Sequence, residues 1–212
     1  MGAHRRARPR GDCHPGEERA RVTRSYGRVI GVPGGSLQHS AGWAANEDVA
    51  RIGRTGELRT AEVLDRLAMR PGGADVIHDC RIPIPGISAN IDHIVVSGSD
   101  VWLIDSKVWK PGFYWTFRGV SRRGGERFPF ADKKTLPMAE QAVRGFLRTG
   151  ARVYCLLVVW PSNDHAVLRL GLYRPRGARV VAGPRFARHQ AIRAKPGRTQ
   201  ITDRLAELAI HA

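Results

Sequence analysis

Lysine is the scarce cation in this chain. Of 35 basic residues only Lys107, Lys110, Lys133, Lys134 and Lys195 are lysines. Arginine is the default, so a lysine at a chosen position reads as a compact point charge, a task a planar guanidinium fork performs poorly. Acids are few as well: 19 against 35 bases, a net charge of +16 and a pI of about 11.1. That imbalance favours a polyanionic partner through phosphate neutralisation and counterion release, although arginine-rich tails alone also produce it. Cysteine is sparse, and Cys13, Cys80 and Cys155 are odd in number with no CxxC spacing, which argues against zinc and against a disulfide framework. Cys155 lies inside the apolar run 153–160, so core packing is its expected role. No run approaches the roughly 20 apolar residues of a bilayer span, so no membrane partner is expected. The basic N-terminus lacks the apolar stretch of a secretory signal, and a cytoplasmic location follows by elimination. No internal repeat is visible.

What remains is a globular composition, 42% hydrophobic over 212 residues, enough for one domain with a sizeable core. Residues 1–45 are rich in Arg, Gly, Pro and Ser and carry the cluster Arg5-Arg6-Ala7-Arg8-Pro9-Arg10. They read as a disordered, basic, flexible tail, either a non-specific phosphate holder or a solvated leader. Residues 46–212 read as the domain. Thr55 is the expected cap of a first helix, with Leu58, Ala61, Leu64 and Ala68 inward and Pro71-Gly72-Gly73 as its stop. A short strand at 75–78 follows, then a hairpin over 90–108 and an aromatic strand at 113–117. Residues 119–135 read as a long Gly- and charge-rich loop. Pro137 opens a second helix reaching about Arg148. The near-continuous apolar run 153–160 has the character of a central strand covered on both faces. Shorter strands at 168–173 and 179–182 and an amphipathic helix over 199–210, with Ile201, Leu205 and Leu208 inward, complete the pattern. The order predicts an α/β fold with a mixed β-sheet flanked by helices.

The hairpin carries the chemistry. Ser97-Gly98-Ser99-Asp100 sits between two apolar runs, and Gly-Ser is a two-residue turn signal. With Gly98 and Ser99 as the loop, counting outward sets Asp92 opposite Asp105, where Cβ atoms lie about 4.5–5.5 Å apart and like charges repel. Lys107, two residues further on, points to the same side as Asp105. Two close, buried carboxylates require a shared proton or a cation, and a divalent metal is the simplest. A second acid-x-lysine, Asp132-Lys133-Lys134, lies in a polar stretch with no partner acid. Competing readings stay open: surface ion pairs for the two aspartates, an edge-strand gatekeeper for Lys107, a dipole partner in a first helical turn for Glu57, an ordinary exposed helix residue for Gln141. His93 falls on the face opposite Asp92 and reads as structural. The run Phe113–Phe117 reads either as core or as a base-stacking surface.

Gly56-Glu57 opening the first helix, Ala89-Asn90-Ile91-Asp92-His93-Ile94-Val95-Val96, Ile104-Asp105-Ser106-Lys107 followed by Trp109 and Gly112, and Pro137 with Gln141 beginning the next helix occur in that order. Together they resemble the nuclease-related domain (NERD) family of the PD-(D/E)xK nuclease superfamily over about residues 50–185. Ile91 stands where the superfamily's name has proline. The resemblance implies a restriction-endonuclease-like fold and a metal-dependent nuclease with DNA favoured over RNA. It implies Glu57, Asp92, Asp105, Lys107 and Gln141 as catalytic residues. Asp92, Asp105 and the backbone carbonyl of Ser106 would hold Mg²⁺ or Mn²⁺, hard cations suited to oxygen donors, with Glu57 as a further donor. The alternative is a non-catalytic nucleic-acid-binding module on the same fold, and a weaker third reading is a docking domain for a partner enzyme. A homo-oligomer or a protein partner is left open.

Overall fold

The computed structural model describes residues 26–35, 47–131, 135–163, 165, 167–189 and 195–210. The arginine cluster at 5–10 and Cys13 lie outside the described residues, as does the second acid-x-lysine at 132–134. Within the stretch read as a tail, Val29–Ile30 forms a strand, β1, that pairs in parallel with β2 (Asp75–Arg81). The backbone N–H of Arg28 donates to the fully buried Asp75 carboxylate at 2.8 Å. The sheet therefore begins earlier in the chain than the apolar pattern suggests, because a two-residue edge strand has too few side chains to show a period.

The main sheet has six strands in the order β1-β2-β3-β4-β8-β10. β3 (Asn90–Ser97) and β4 (Asp100–Trp109) form the hairpin, and β2 pairs antiparallel with β3. β8 (Arg152–Pro161) lies parallel between β4 and β10 (Arg179–Ala182). Central β8 is apolar on both faces because both are covered. Helix α1 (Glu47–Ala68) covers one face, setting Leu64 and Ala68 on Val95, Trp102, Ile104 and Leu156. On the other, Ala139, Val143 and Leu147 of α2 (Thr135–Leu147) and Ile201 and Leu205 of α4 (Thr199–Ala206) pack against Ile94, Val96, Val101 and Leu103. A one-turn helix, α3 (Gly183–Phe186), adds Phe186 to the α1 side. This is the expected mixed α/β sheet flanked by helices, an architecture consistent with a nuclease-like fold.

Three local expectations are corrected. Helix α1 starts at Glu47, not Thr55, and the Thr55 hydroxyl donates back to the Arg51 carbonyl at 3.0 Å instead of capping. Leu58 is 42% exposed, and the buried stripe runs through Thr60, Ala61, Leu64 and Ala68. Gly56 does not break the helix: a Cβ there would lie 2.8 Å from Val108 Cγ2, so the missing side chain lets α1 lie close against β4. The stretch 119–135 is not a long loop. It holds β6 (Val120–Arg123) and β7 (Glu126–Arg127), and its glycines serve tight turns, with Gly119 at φ +76 and Gly124 at φ +57. With β5 (Gly112–Phe117) and β9 (Leu168–Leu172) these build a second sheet, ordered β7-β6-β5-β9. Tyr114 of β5 is buried with Trp109, Tyr173 and Phe128 at its base.

The C-terminal segment is tied both to the hairpin turn and to the far end of β2. At the turn, Gly98 N–H donates to Pro196 O and Arg198 N–H to Gly98 O; at the far end, Arg81 N–H donates to Leu208 O and Ile210 N–H to Asp79 O. Among the described residues no helix is long and apolar enough to cross a membrane.

Candidate functional site

The turn is the one the Gly-Ser signal predicts. Ser97 pairs with Asp100, Gly98 takes φ +61, and the register runs to His93 opposite Ile104. A positive φ at the first central position alone is the geometry that demands glycine there. The paired register ends there, one step short of Asp92 and Asp105. At that point the alternation of β2 and β3 slips. Ile77 and Cys80, three residues apart, face the same core, as do Ile94 and Ile91, and between them Asp79 adopts φ +50. Asp92 turns its Oδ2 onto the backbone N–H of Ser106, which donates at 2.6 Å across the two strands. Lys107 Nζ lies 2.6 Å from Asp105 Oδ2 and donates to the Ser106 carbonyl at 3.1 Å. The lysine is held by the chain and only 32% of its side chain is exposed.

Glu57 reaches this group from α1. Burial, then Asp92, raise its carboxyl from 4.5 to about 9, with Asp79 and Asp105 adding to the rise and Lys107 opposing it. Burial, then Asp105, raise Asp92 to about 7, against the pull of Lys107 and the Ser106 N–H bond. For Lys107, burial works to lower the pKa, but Asp105, Asp92 and Glu57 outweigh it and hold the ammonium above its ordinary value. Three carboxyl groups and one ammonium thus share one small region and sense each other's charge. Asp79, which also accepts from the Asn90 side-chain amide at 3.1 Å, is a fourth. Sequence reasoning passed over it, and its one signal is visible only in the fold: a non-glycine residue at positive φ beside the acids.

The other side of β4 fixes these groups in place. Thr60 Oγ1 donates to the Gly56 carbonyl at 3.0 Å and accepts from Ser106 Oγ at 2.9 Å and from Trp160 Nε1 at 2.8 Å. One buried hydroxyl so uses its donor and both acceptor positions to join helix, site strand and central strand. His93, read as structural, is fully buried with its Nδ1 2.8 Å from Nδ1 of His78, whose Nε2 lies 2.9 Å from Asp65 Oδ1. Its Nε2 leans toward the Glu57 backbone without a well-formed hydrogen bond. Burial, then the neighbouring His78, hold its pKa well below the ordinary imidazole value.

A cleft of about 1290 Å³ opens beside β4 and is lined by Asp105, Lys107, Trp109 and Gln141 together with Arg118, Arg127, Arg174 and Arg176. Of the residues singled out in the sequence, Asp105, Lys107 and Gln141 meet there. Gln141 is exposed on α2. Asp92 and Glu57 lie behind Asp105, outside the cleft lining. Asp105 is the one acid on this wall, and none of the four arginines has a carboxylate partner among the described residues.

The donor chemistry fits a hard divalent cation. The oxygens in question are carboxylates of Asp92 and Asp105 and the carbonyl of Ser106, and a cation, the Lys107 ammonium, already bridges two of them. In the present arrangement Asp92 Oδ2 and Asp105 Oδ2 are taken up by Ser106 N–H and Lys107. No group of three or more His, Cys, Asp or Glu side chains among the described residues is gathered at ligand distance.

In comparison with known proteins, the family model described as nuclease-related domain, NERD, matches residues 52–159. That span holds Glu57, Asp92, Asp105, Ser106, Lys107 and Gln141. No curated protein and no solved structure matches the chain.

Proposed function

The chain belongs to the nuclease-related domain family, and from that premise we propose that it is a Mg²⁺- or Mn²⁺-dependent nuclease that hydrolyses phosphodiester bonds, of DNA in preference to RNA. The observation that carries this reading is the group Asp92, Ser106, Asp105 and Lys107, two 2.6 Å pairs joined by the 3.1 Å bond from Lys107 to the Ser106 carbonyl, of which Asp105 and Lys107 line an arginine-rich cleft. Asp92, Asp105 and the Ser106 carbonyl would hold the ion, with Glu57 as a further oxygen donor. A bound divalent ion supplies Lewis-acid polarisation of a phosphate oxygen and lowers the pKa of water. Half-buried acids raised to about 7 and about 9 carry an electrostatic cost that such a cation offsets.

The chain's own groups do the rest. Lys107, fixed by Asp105, presents a point charge to the cleft, where it stabilises negative charge growing on the phosphate in the transition state. Gln141, on the facing helix, orients a phosphate oxygen or the attacking water. The cleft arginines hold the flanking phosphates and exclude competing carboxylates.

The test is nicking of supercoiled plasmid in Mg²⁺, Mn²⁺ or chelator, with wild type beside Asp105→Ala. The expected result is divalent-dependent cleavage by wild type and loss of cleavage in the variant. Equal cleavage by both would place the activity elsewhere. DNA binding in chelator with no cleavage in either metal would leave the non-catalytic binding module, which the +16 charge alone supports.

A further inference from the structure

Across the cleft from Lys107 stands the small sheet, and its outer face is aromatic. Tyr114 is buried and Thr116 lines the cleft, so alternation turns Phe113, Trp115 and Phe117 outward. Phe113 is 40% and Phe117 54% exposed, and the Trp115 and Phe117 rings lie 6.2 Å apart. Each of these two rings is paired with a guanidinium: Arg122 lies 5.7 Å from the Trp115 centroid and Arg118 lies 5.3 Å from that of Phe117. Neither arginine has a carboxylate partner among the described residues.

Arg118 joins this face to the active-site cleft, because it lines the cleft as well. It occupies the first position of the β5–β6 turn at φ +48, followed by Gly119 at φ +76. Two successive positive φ values suit Asn-Gly or Gly-Gly, and an arginine there holds a disfavoured backbone conformation. The strained position is one from which the guanidinium reaches both the rim of the cleft and the aromatic face.

We propose that the small sheet is a single-strand platform: unpaired bases stack on Trp115 and Phe117 while Arg118 and the cleft arginines carry the sugar-phosphate backbone down to Lys107. This inference rests on the nuclease reading and adds the substrate class, single-stranded or locally opened nucleic acid. The chemistry favours this occupant over a protein. The exposed Phe117 ring and the half-buried Trp115 ring accept any base through its π-face, and guanidinium groups without a carboxylate partner match a chain of phosphates. Duplex ends do not present unstacked bases to such a face.

The experiment measures binding of the full chain, in chelator, to a fluorescent 20-nucleotide single strand and to the matching duplex. Wild type is compared with Trp115→Ala, Phe117→Ala and Arg118→Ala. Because the Phe117 side chain is half exposed and belongs to none of the three core clusters, Phe117→Ala keeps the test open even where Trp115→Ala folds poorly. The expected result is tighter binding of the single strand, weakened about tenfold by loss of either ring, with duplex affinity unchanged. Arg118→Ala weakens both and lowers the slope of log affinity against log salt by about 0.7 on the single strand. Single-strand affinity unchanged in both aromatic variants overturns the platform and points the face toward a protein. Cleavage by wild type in Mn²⁺, measured in parallel, keeps the two ideas apart. Cleavage with indifferent aromatic variants sinks the platform alone, and aromatic-dependent binding without cleavage sinks the nuclease reading alone.

Discussion

At the end of the β3–β4 hairpin the polar groups are committed to one another, whereas across the same cleft they are not. Asp92 is spent on the Ser106 N–H and Lys107 on Asp105 and the Ser106 carbonyl. Arg118, Arg127 and Arg176 have no carboxylate partner among the described residues. The first arrangement fixes atoms to within a hydrogen-bond length, which reacting groups require. The second leaves long side chains to follow a flexible polyanion. Substitutions on the hairpin should therefore change turnover, and substitutions on the small sheet should change binding.

The largest effect tests the committed side. Lys107→Ala is expected to lower the nicking rate about 10²–10³-fold, the usual consequence of losing one donor to a transition-state oxyanion. Lys107→Arg should not restore it, since a planar fork cannot replace a point charge on Asp105 and Ser106. Binding in chelator should change little in either variant, and an equal fall in binding and rate would erase the contrast.

Next comes the support behind the hairpin. Thr60→Val keeps the shape but strands the Ser106 hydroxyl and the Trp160 indole N–H, both now bonded to Thr60. Two such losses should cost about 2–4 kcal/mol, read from the urea midpoint. Unchanged stability would show that the site strand is held by packing alone.

A smaller effect follows from Glu57. In the folded chain its carboxyl is raised from 4.5 to about 9. Below both values the group is protonated folded or unfolded and contributes nothing. As the pH climbs above about 4.5 the unfolded chain loses the proton first, and the folded state is penalised increasingly up to about pH 9. Glu57→Gln removes that penalty, so in chelator its gain in melting temperature should be larger at pH 8 than at pH 5. Each kcal/mol relieved corresponds to about 2–4 °C for a chain of this size. A gain independent of pH would mean the charge is not the cause.

The smallest effect belongs to the uncommitted side. Arg176→Ala should lower the slope of log affinity against log salt by about 0.7–0.9 and leave turnover at saturating DNA unchanged. A change in turnover would show that this wall also positions the scissile phosphate.

The contrast also explains what could be read from the residues. The hairpin was legible because a two-residue turn fixes register, and register fixes which side chains face each other. From Ser97 and Asp100 outward the pairing follows by counting. Central β8 and the inward set Ile201, Leu205 and Leu208 were legible because burial imposes composition directly. What escaped depended on partners remote in sequence. Nothing near Gly56 announces that β4 passes within van der Waals contact of the helix there. The slip at Asp79 exists only once β2 and β3 are paired. The cleft arginines come from three separate segments, around 118, 127 and 174–176, and in a chain this rich in arginine none stands out. The glycine-rich stretch 119–135 misleads because tight hairpins and loose loops use the same residues.

The strap formed by residues 196–210 has a consequence for where this unit can be cut. Its backbone bonds hold Gly98 at the hairpin turn and Asp79 of β2, beside the acids. The matched segment ends at residue 159, so a fragment trimmed to that boundary keeps every reacting group yet sheds both moorings, along with parallel strand β10. The smallest autonomous piece is accordingly larger than the piece that does the chemistry, and trimming the chain after residue 159 costs stability without removing a single functional side chain.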